Sequence, residues 1–229
     1  MATKYLNPFL KFLSSRKDED GCRLPSLSEL SKTTQTSIPS LREQLEVARA
    51  FGFVEVRPKP GIRKNKYRFA PAVAASLAYS IEETPALFDS YADLRKHIEA
   101  AYFEEAASLL IEEDINGLMQ LVEVAKIKLA RVPIEIPYVE HRELHLLMYS
   151  RLSNPFVTGL LEAYWQIYED VGLSRYTDLS YHQRVWNYHE KIVESIRQGE
   201  FSNSKKALLE HMILIQKRPK SQPTKIHFE

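Results

Sequence analysis

Residues 27–61, LSELSKTTQTSIPSLREQLEVARAFGFVEVRPKPG, constrain this chain most, because two short helical patterns run directly into a strand and then into a basic turn rich in proline and glycine. Upstream, Leu6, Phe9, Leu10 and Leu13 stand at helical spacing, and Ser26 with Glu29 has the spacing of a capping box, so helices begin near Pro8 and Ser26. A third helix has Ser37 as N-cap and Pro39 in its first turn; Leu41, Leu45 and Ala48 line one face up to Gly52, which ends it. After Gly52, FVEV is a strand by its β-branched and aromatic content, RPKPGIRKN reads as a turn, and KYRFA alternates as a returning strand. Two helices at a short turn followed by a hairpin is the outline of a winged helix-turn-helix.

Charge is unevenly divided. The net charge is only +1, yet residues 1–70 carry 14 Lys plus Arg against 7 Asp plus Glu, while residues 71–229 carry 17 against 23. A duplex partner requires positive charge to displace counterions, and Arg57, Lys59, Arg63, Lys64, Lys66 and Arg68 fall within twelve residues at the hairpin. A charge run also fits a solvated hairpin; its place directly after a helix-turn-helix pattern favours a phosphate-facing wing. Arg42, one turn into the third helix, can reach a guanine edge, and Ser37 and Ser40 can contact phosphates. With 229 residues, 44% of them hydrophobic, the chain is long enough for two cores. The single cysteine, Cys22, excludes an internal disulfide framework, and the lack of a signal segment or a long apolar run makes a cytoplasmic location, with no membrane partner, the expectation.

The stretch LPSLSELSKTTQTSIPSLREQLEVARAFGFVEVRPKPG resembles the DNA-binding head of GntR-family transcriptional regulators. The matches are Leu24, Pro25, Ser26, Glu29, Leu30, Ser37, Arg42, Glu43, Leu45, Gly52, Val54, Val56 and Gly61. The resemblance implies double-stranded DNA contacts by Ser26, Ser37, Ile38, Ser40, Arg42, Arg57, Lys59, Gly61, Arg63 and Lys64. Where the family commonly has two arginines this chain has Ser28 and Ile38, a departure that bears on which operator is read.

The rest of the chain shows amphipathic helical patterns at about 84–111, 113–131, 137–152, 155–172, 181–199 and 203–217, with no strand-like alternation. The expected fold class is mainly α: a winged helix-turn-helix over residues 1–72, a partly helical linker at 73–84, an all-α bundle over 85–218 and a polar tail at 219–229. His141 and His145, spaced i,i+4, share one helix face, a spacing that suits two ligands of one metal and equally suits surface or satisfied core histidines. His189 and His211 fall on two later helices; His97, His182 and His227 read as structural or surface residues. Tyr102, Tyr149, Trp165, Tyr168 and Trp186 read mostly as core, with one or two lining a pocket.

LRKHIEAAYFEEAA, EHRELHLLMYSRLSNPFVTGLLEAYW and NYHEKIVESIRQGEFSNSKKALLEHM resemble the ligand-binding domain of the FCD branch of GntR regulators. Arg95, His145, Asn154, Pro155, His189, Gly199, Glu200 and His211 occupy positions of that pattern. The resemblance implies a divalent metal held by an aspartate and three histidines, and an arginine that with the metal binds the carboxylate of a small organic acid. Here His141 stands in place of the aspartate, so the expected metal ligands are His141, His145, His189 and His211, with Arg95 and Asn154 as effector-binding residues. An all-imidazole set suits zinc, nickel or copper better than manganese or magnesium. The expected partners are a palindromic DNA operator, a small-acid effector and a second copy of the chain, and the expected role is regulation, as a repressor, with no catalysis. Two other readings use the same residues: a metal-dependent enzyme built on the histidines, or a DNA-binding protein with a degenerate pocket. Against the enzyme, Glu140, Glu143 and Glu190 lie so close in sequence to the ligands that they point elsewhere on their helices.

Overall fold

The structure is a computed structural model and describes residues 2–16, 21–57, 61–170 and 178–216. Contacts divide the chain into two compact units, one formed by residues 1–89 with 154–167 and the other by 90–153 with 168–229. The described residues bear out the mainly α class, with ten α-helices and one small sheet.

In the first unit, α1 (Pro8–Ser15) starts where the Asn7 side chain accepts the Leu10 N–H at 2.8 Å. α2 (Leu27–Thr34) carries the full capping box: the Ser26 N–H donates to Glu29 Oε2 at 2.8 Å and the Glu29 N–H donates to Ser26 Oγ at 3.4 Å. α3 (Ile38–Ala50) starts at Ser37 as the sequence indicates. Phe9, Leu10, Leu13, Leu24, Leu30, Leu41, Leu45, Ala48 and Val54 close over one another as a single core. Each large side chain so buried contributes about 1.5–3 kcal/mol relative to exposure, enough to hold three short helices that would be unstable alone.

The hairpin differs from the sequence reading. β1 is Val54–Arg57, but the returning strand β2 is Gly61–Lys64, inside the stretch expected to be turn. Val54 pairs with Lys64 and Arg57 with Gly61. The reason is a second partner for β2: Leu24 N–H donates to the Ile62 carbonyl at 2.8 Å and Lys64 N–H to the Cys22 carbonyl at 3.0 Å, with a bridge between Arg23 and Arg63. Residues 66–70, expected as strand, instead lead into α4 (Ala70–Glu83), which has Pro71 in its first turn. The segment read as a linker at 73–84 thus lies almost wholly within a regular helix.

α5 (Leu87–Ser108), α6 (Glu112–Leu129), α7 (Tyr138–Met148), α8 (Pro155–Asp170), α9 (Leu179–Arg197) and α10 (Phe201–Gln216) correspond to the six expected helices. Residues 171–172, 217 and the tail 219–229 lie outside the described residues. α8 falls mostly with the first unit: a Cβ at Gly159 would stand 2.7 Å from Phe69 Cβ, and Phe156 packs edge-on against Phe69 at 5.2 Å. In the second unit α9 contacts both α6 and α10, and α6 contacts α7. Tyr181, Val185, Trp186, His189, Ile192, Val193 and Ile196 form the buried stripe of α9.

Both α3 and α9 end in a Schellman motif. Gly52 (φ +71°) donates to the Arg49 carbonyl and Phe53 to the Ala48 carbonyl, each at 2.9 Å; Gly199 (φ +73°) donates to Ile196 at 2.9 Å and Glu200 to Ser195 at 2.8 Å. A Cβ at Gly199 meets nothing within 4 Å, whereas one at Gly52 would lie 2.7 Å from Pro71 Cγ. Gly199→Ala should therefore cost about 1–2 kcal/mol for the left-handed backbone alone. Gly52→Ala should cost about 3 kcal/mol or more, because a clash adds to the same backbone term. Urea unfolding of the two variants checks the order; equal losses would contradict it.

Candidate functional site

The outward face of α3 is set by its inner face: with Leu41, Leu45 and Ala48 in the core, Arg42 is exposed. Ser37 Oγ accepts the Ser40 N–H at 3.4 Å and keeps a proton to donate, while Ser40 Oγ accepts from Gln44 Nε2 at 3.0 Å. Ile38 is half-buried. The Ser26 hydroxyl, expected at DNA, donates to Glu29 Oε2 at 2.7 Å and holds the start of α2. That bond holds the Glu29 carboxyl below its ordinary range.

The basic residues of the hairpin divide by role. Arg63 Nη1 donates to the Gly21 carbonyl at 3.2 Å, Lys64 Nζ donates to the Arg16 carbonyl, and Arg68 pairs with Glu162 at 2.8 Å. Arg63 and Lys64 are half-buried and clasp the strand pair to the segment before α2. Arg57 is exposed and touches Glu55 at 2.9 Å; Lys66 is exposed, and Gly61 has φ +95° at the start of β2. Lys59 lies outside the described residues.

In the second unit the four histidines converge, their ligand atoms lying within 4.8 Å of one another. α7 supplies His141 and His145, α9 supplies His189 and α10 supplies His211. His145, His189 and His211 are fully buried, and His141 is half-buried. His189 Nε2 lies 3.3 Å from His145 Nε2 and 3.2 Å from His211 Nε2. One proton can serve one of those contacts; in the other, two like groups would face each other. A cation among them removes the conflict. Zinc–imidazole bonds of about 2.0–2.1 Å at tetrahedral angles put neighbouring nitrogens about 3.3 Å apart, close to the separations of His189 Nε2 from its two neighbours, while the whole set of four lies within 4.8 Å. The residues present therefore fit a divalent ion with nitrogen ligands.

A carboxylate whose spacing in the sequence suits a helix surface completes this arrangement. Glu99 is fully buried; its Oε2 lies 3.0 Å from Arg95 Nη2 and its Oε1 lies 3.2 Å from His145 Nδ1. Arg95, itself 5% exposed, also sets Nη2 3.0 Å from His145 Nδ1. Tyr149 Oη donates to the Glu99 carbonyl at 3.0 Å. The available signal was the i,i+4 spacing of Arg95 and Glu99, once Arg95 is known to face inward. Asn154, expected at the effector, accepts the Phe156 N–H at 3.0 Å and caps α8.

A narrow cavity, with room for about one water, reaches His141 between Tyr138, Tyr168, Tyr181, His182 and Trp186. Trp186 also packs edge-on against His189 at 4.7 Å, so two of the aromatic residues singled out in the sequence line this cavity while Tyr149 and Trp165 are buried core. His182, expected to be structural or at the surface, lines the cavity too, and His97 is exposed on α5. The carboxylates a hydrolytic site would need as base are turned to cations: Glu140 to Lys128 at 2.9 Å, Glu143 to Arg142 at 2.9 Å and Glu190 to Lys126 at 2.5 Å.

Burial pushes His141, His189 and His211 well below the ordinary imidazole range, and neighbouring positive charge adds to the effect. His145 is lowered by burial too, against the opposing pull of Glu99. Burial works against ionisation of Glu99, but Arg95 and His145 outweigh it and hold the group as a carboxylate. Imidazoles whose folded values lie below their unfolded value of about 6.5 make the unfolded state the better proton binder as pH drops. Metal-free protein should hold a constant melting temperature above about pH 7 and lose stability as pH falls from about 6.5 towards 5. A melting temperature unchanged between those limits would contradict the neutral cluster.

Residues 91–213, more than half of the chain, match the model of the FCD domain. No curated protein matches the sequence. Among solved structures the fold is similar to that of a Streptococcus agalactiae GntR protein, with a TM-score of 0.63 and 16% identity over 95% of this chain and 100% of that one. It is also similar to E. coli McbR/YncC, with a TM-score of 0.51 and 17% identity over 92% of this chain and 98% of that one. At such identities the two likenesses speak to the fold. Among the described residues no helix is long and apolar enough to cross a membrane. The chain belongs to the FCD branch of the GntR family of transcriptional regulators.

Proposed function

We propose that the protein is a sequence-specific regulator, acting as a repressor, whose FCD domain binds a small organic acid beside a divalent ion and thereby changes the affinity of its head for DNA. The observation that carries this reading is the convergence of His141, His145, His189 and His211 in the FCD part of a chain that opens with a winged helix-turn-helix. Imidazole donors favour zinc or nickel, and four neutral ligands leave the ion's charge uncompensated among them, which favours an anion. When bound, the ion supplies that positive charge. His141, on the cavity wall, is where an acid would approach; Arg95, its side chain engaged by Glu99, supports the cluster from behind, and Asn154 serves the start of α8.

In the same proposal two copies of the chain form a symmetric dimer that presents two heads to the half-sites of a palindromic operator. An effector that prefers one arrangement of the heads shifts DNA affinity by its differential binding to the two arrangements, and DNA shifts effector affinity by the same factor. Sequencing the fragments that purified protein selects from its own genome should return a palindromic site; fragments indistinguishable from random would overturn sequence-specific regulation.

Arg42→Ala should weaken binding to the selected site by about 1–3 kcal/mol and relax preference at one base pair, measured by fluorescence anisotropy. A uniform loss across sequences would reassign Arg42 to the phosphates. The double variant His145→Ala, His189→Ala should lose stoichiometric zinc or nickel in elemental analysis of folded protein. Metal retained by that variant would reject the four-histidine site.

A further inference from the structure

The resemblance implies that Arg95 takes the carboxylate of an effector. An arginine that captures an effector carboxylate must have its charge and its planar fork available. Here the guanidinium already faces a carboxylate of the same helix, Glu99, one turn on, with Arg95 only 5% exposed and Glu99 fully buried. The second oxygen of Glu99 lies 3.2 Å from His145 Nδ1, and the opposite nitrogen of that ring lies 3.3 Å from His189 Nε2 at the centre of the cluster. Tyr149 fixes the Glu99 backbone from the other side through its 3.0 Å hydrogen bond to the carbonyl.

We propose that Glu99 is the built-in carboxylate of this site: it occupies Arg95 in place of an effector's acid group, and it orients His145 so that Nε2 presents its lone pair to the ion. Arg95 Nη2, 3.0 Å from Nδ1 and 3.5 Å from Nε2, stands near both ring nitrogens at once and so off the line of either in-plane lone pair, which leaves the Nδ1 proton to Glu99. Accepting that proton selects one tautomer, which is how carboxylates behind metal-bound imidazoles act in general. Because Arg95 balances Glu99, the pair adds no net charge, and the charge of the ion stays open to an anion. This role for Glu99 rests on the histidines being a metal centre, and it redistributes the work within that centre: Arg95 is a positioning residue, and effector recognition passes to the His141 side.

The test uses metal-free full-length protein titrated with zinc against a competing chelator. Glu99→Gln should bind zinc about 10- to 100-fold more weakly than wild type, the usual effect of losing such an outer partner. Because Glu99→Gln leaves Arg95 buried without its counter-charge, the double variant Arg95→Met, Glu99→Leu serves as a second probe: it removes both charges and keeps an apolar filling. If Glu99 only neutralises Arg95, the double variant recovers wild-type affinity; if Glu99 orients His145, its affinity stays low. In a separate arm, formate is added to Glu99→Ala and wild type, and melting is followed. Formate should raise the melting temperature of Glu99→Ala by refilling the space beside Arg95 and leave wild type unchanged. Wild-type zinc affinity in Glu99→Gln and in the double variant would overturn the inference while the metal centre stood. Wild-type protein that bound no zinc would overturn both.

Discussion

Several imidazoles crowded around one point, three of them out of reach of solvent, form the constraint on which the second unit depends. Buried polar groups are costly unless paired, and a nitrogen with two like neighbours at 3.2 and 3.3 Å cannot satisfy both with one proton. Those rings are held there by ordinary packing. His189 lies on the same stripe of α9 as Val185, Trp186, Ile192 and Val193, and His211 is flanked by the buried Leu208 and Met212 on α10. Moving any of them to solvent would expose part of a hydrophobic face. The apolar core thus supports an arrangement that its polar members would not adopt by themselves, and a cation held there, as proposed, would make it favourable.

The head shows the same economy between structure and chemistry. Ser26 and Ser37 begin helices, and Arg63 and Lys64 fasten β2 to the segment ahead of α2, so charges that count as a basic patch in sequence are partly structural in the fold. Among the described residues the outward cations include Arg42 on α3 and Arg57 and Lys66 near the hairpin, with Arg23, Lys32, Arg49 and Arg68 exposed as well. Each of them that meets a phosphate steepens the salt dependence of DNA binding, since that slope scales with the phosphates neutralised.

Much of this was legible in the sequence, for physical reasons. Caps are local: Asn or Ser followed by the right amide three residues later fixes a helix start, and Ser26, Ser37 and Gly52 were all identifiable without tertiary information. The six body helices were readable from periodicity. The position of β2 was not, because its partner, the segment around Arg23, is distant in sequence and carries no strand pattern. The histidine set came from a resemblance, and spacing alone supported only the i,i+4 pair on α7. The sequence offers Arg95 and Glu99 as an i,i+4 pair, a common surface pattern on helices, and only the inward face of α5 distinguishes a buried pair from an exposed one. Likewise α8 reads as a body helix, while Gly159 lets it approach Phe69 and Ala70 of the first unit.

The central claim is that occupation of the histidine cluster and binding of DNA are linked. The direct measurement is the affinity of the full-length protein for its selected DNA site, determined once with zinc-loaded protein and once with metal-free protein at constant salt and pH. Coupling of the ordinary size, about 1–3 kcal/mol, predicts affinities that differ by roughly 5- to 150-fold, with DNA shifting zinc affinity by the same factor. Identical affinities in the two states would contradict the account and leave the cluster without a part in regulation.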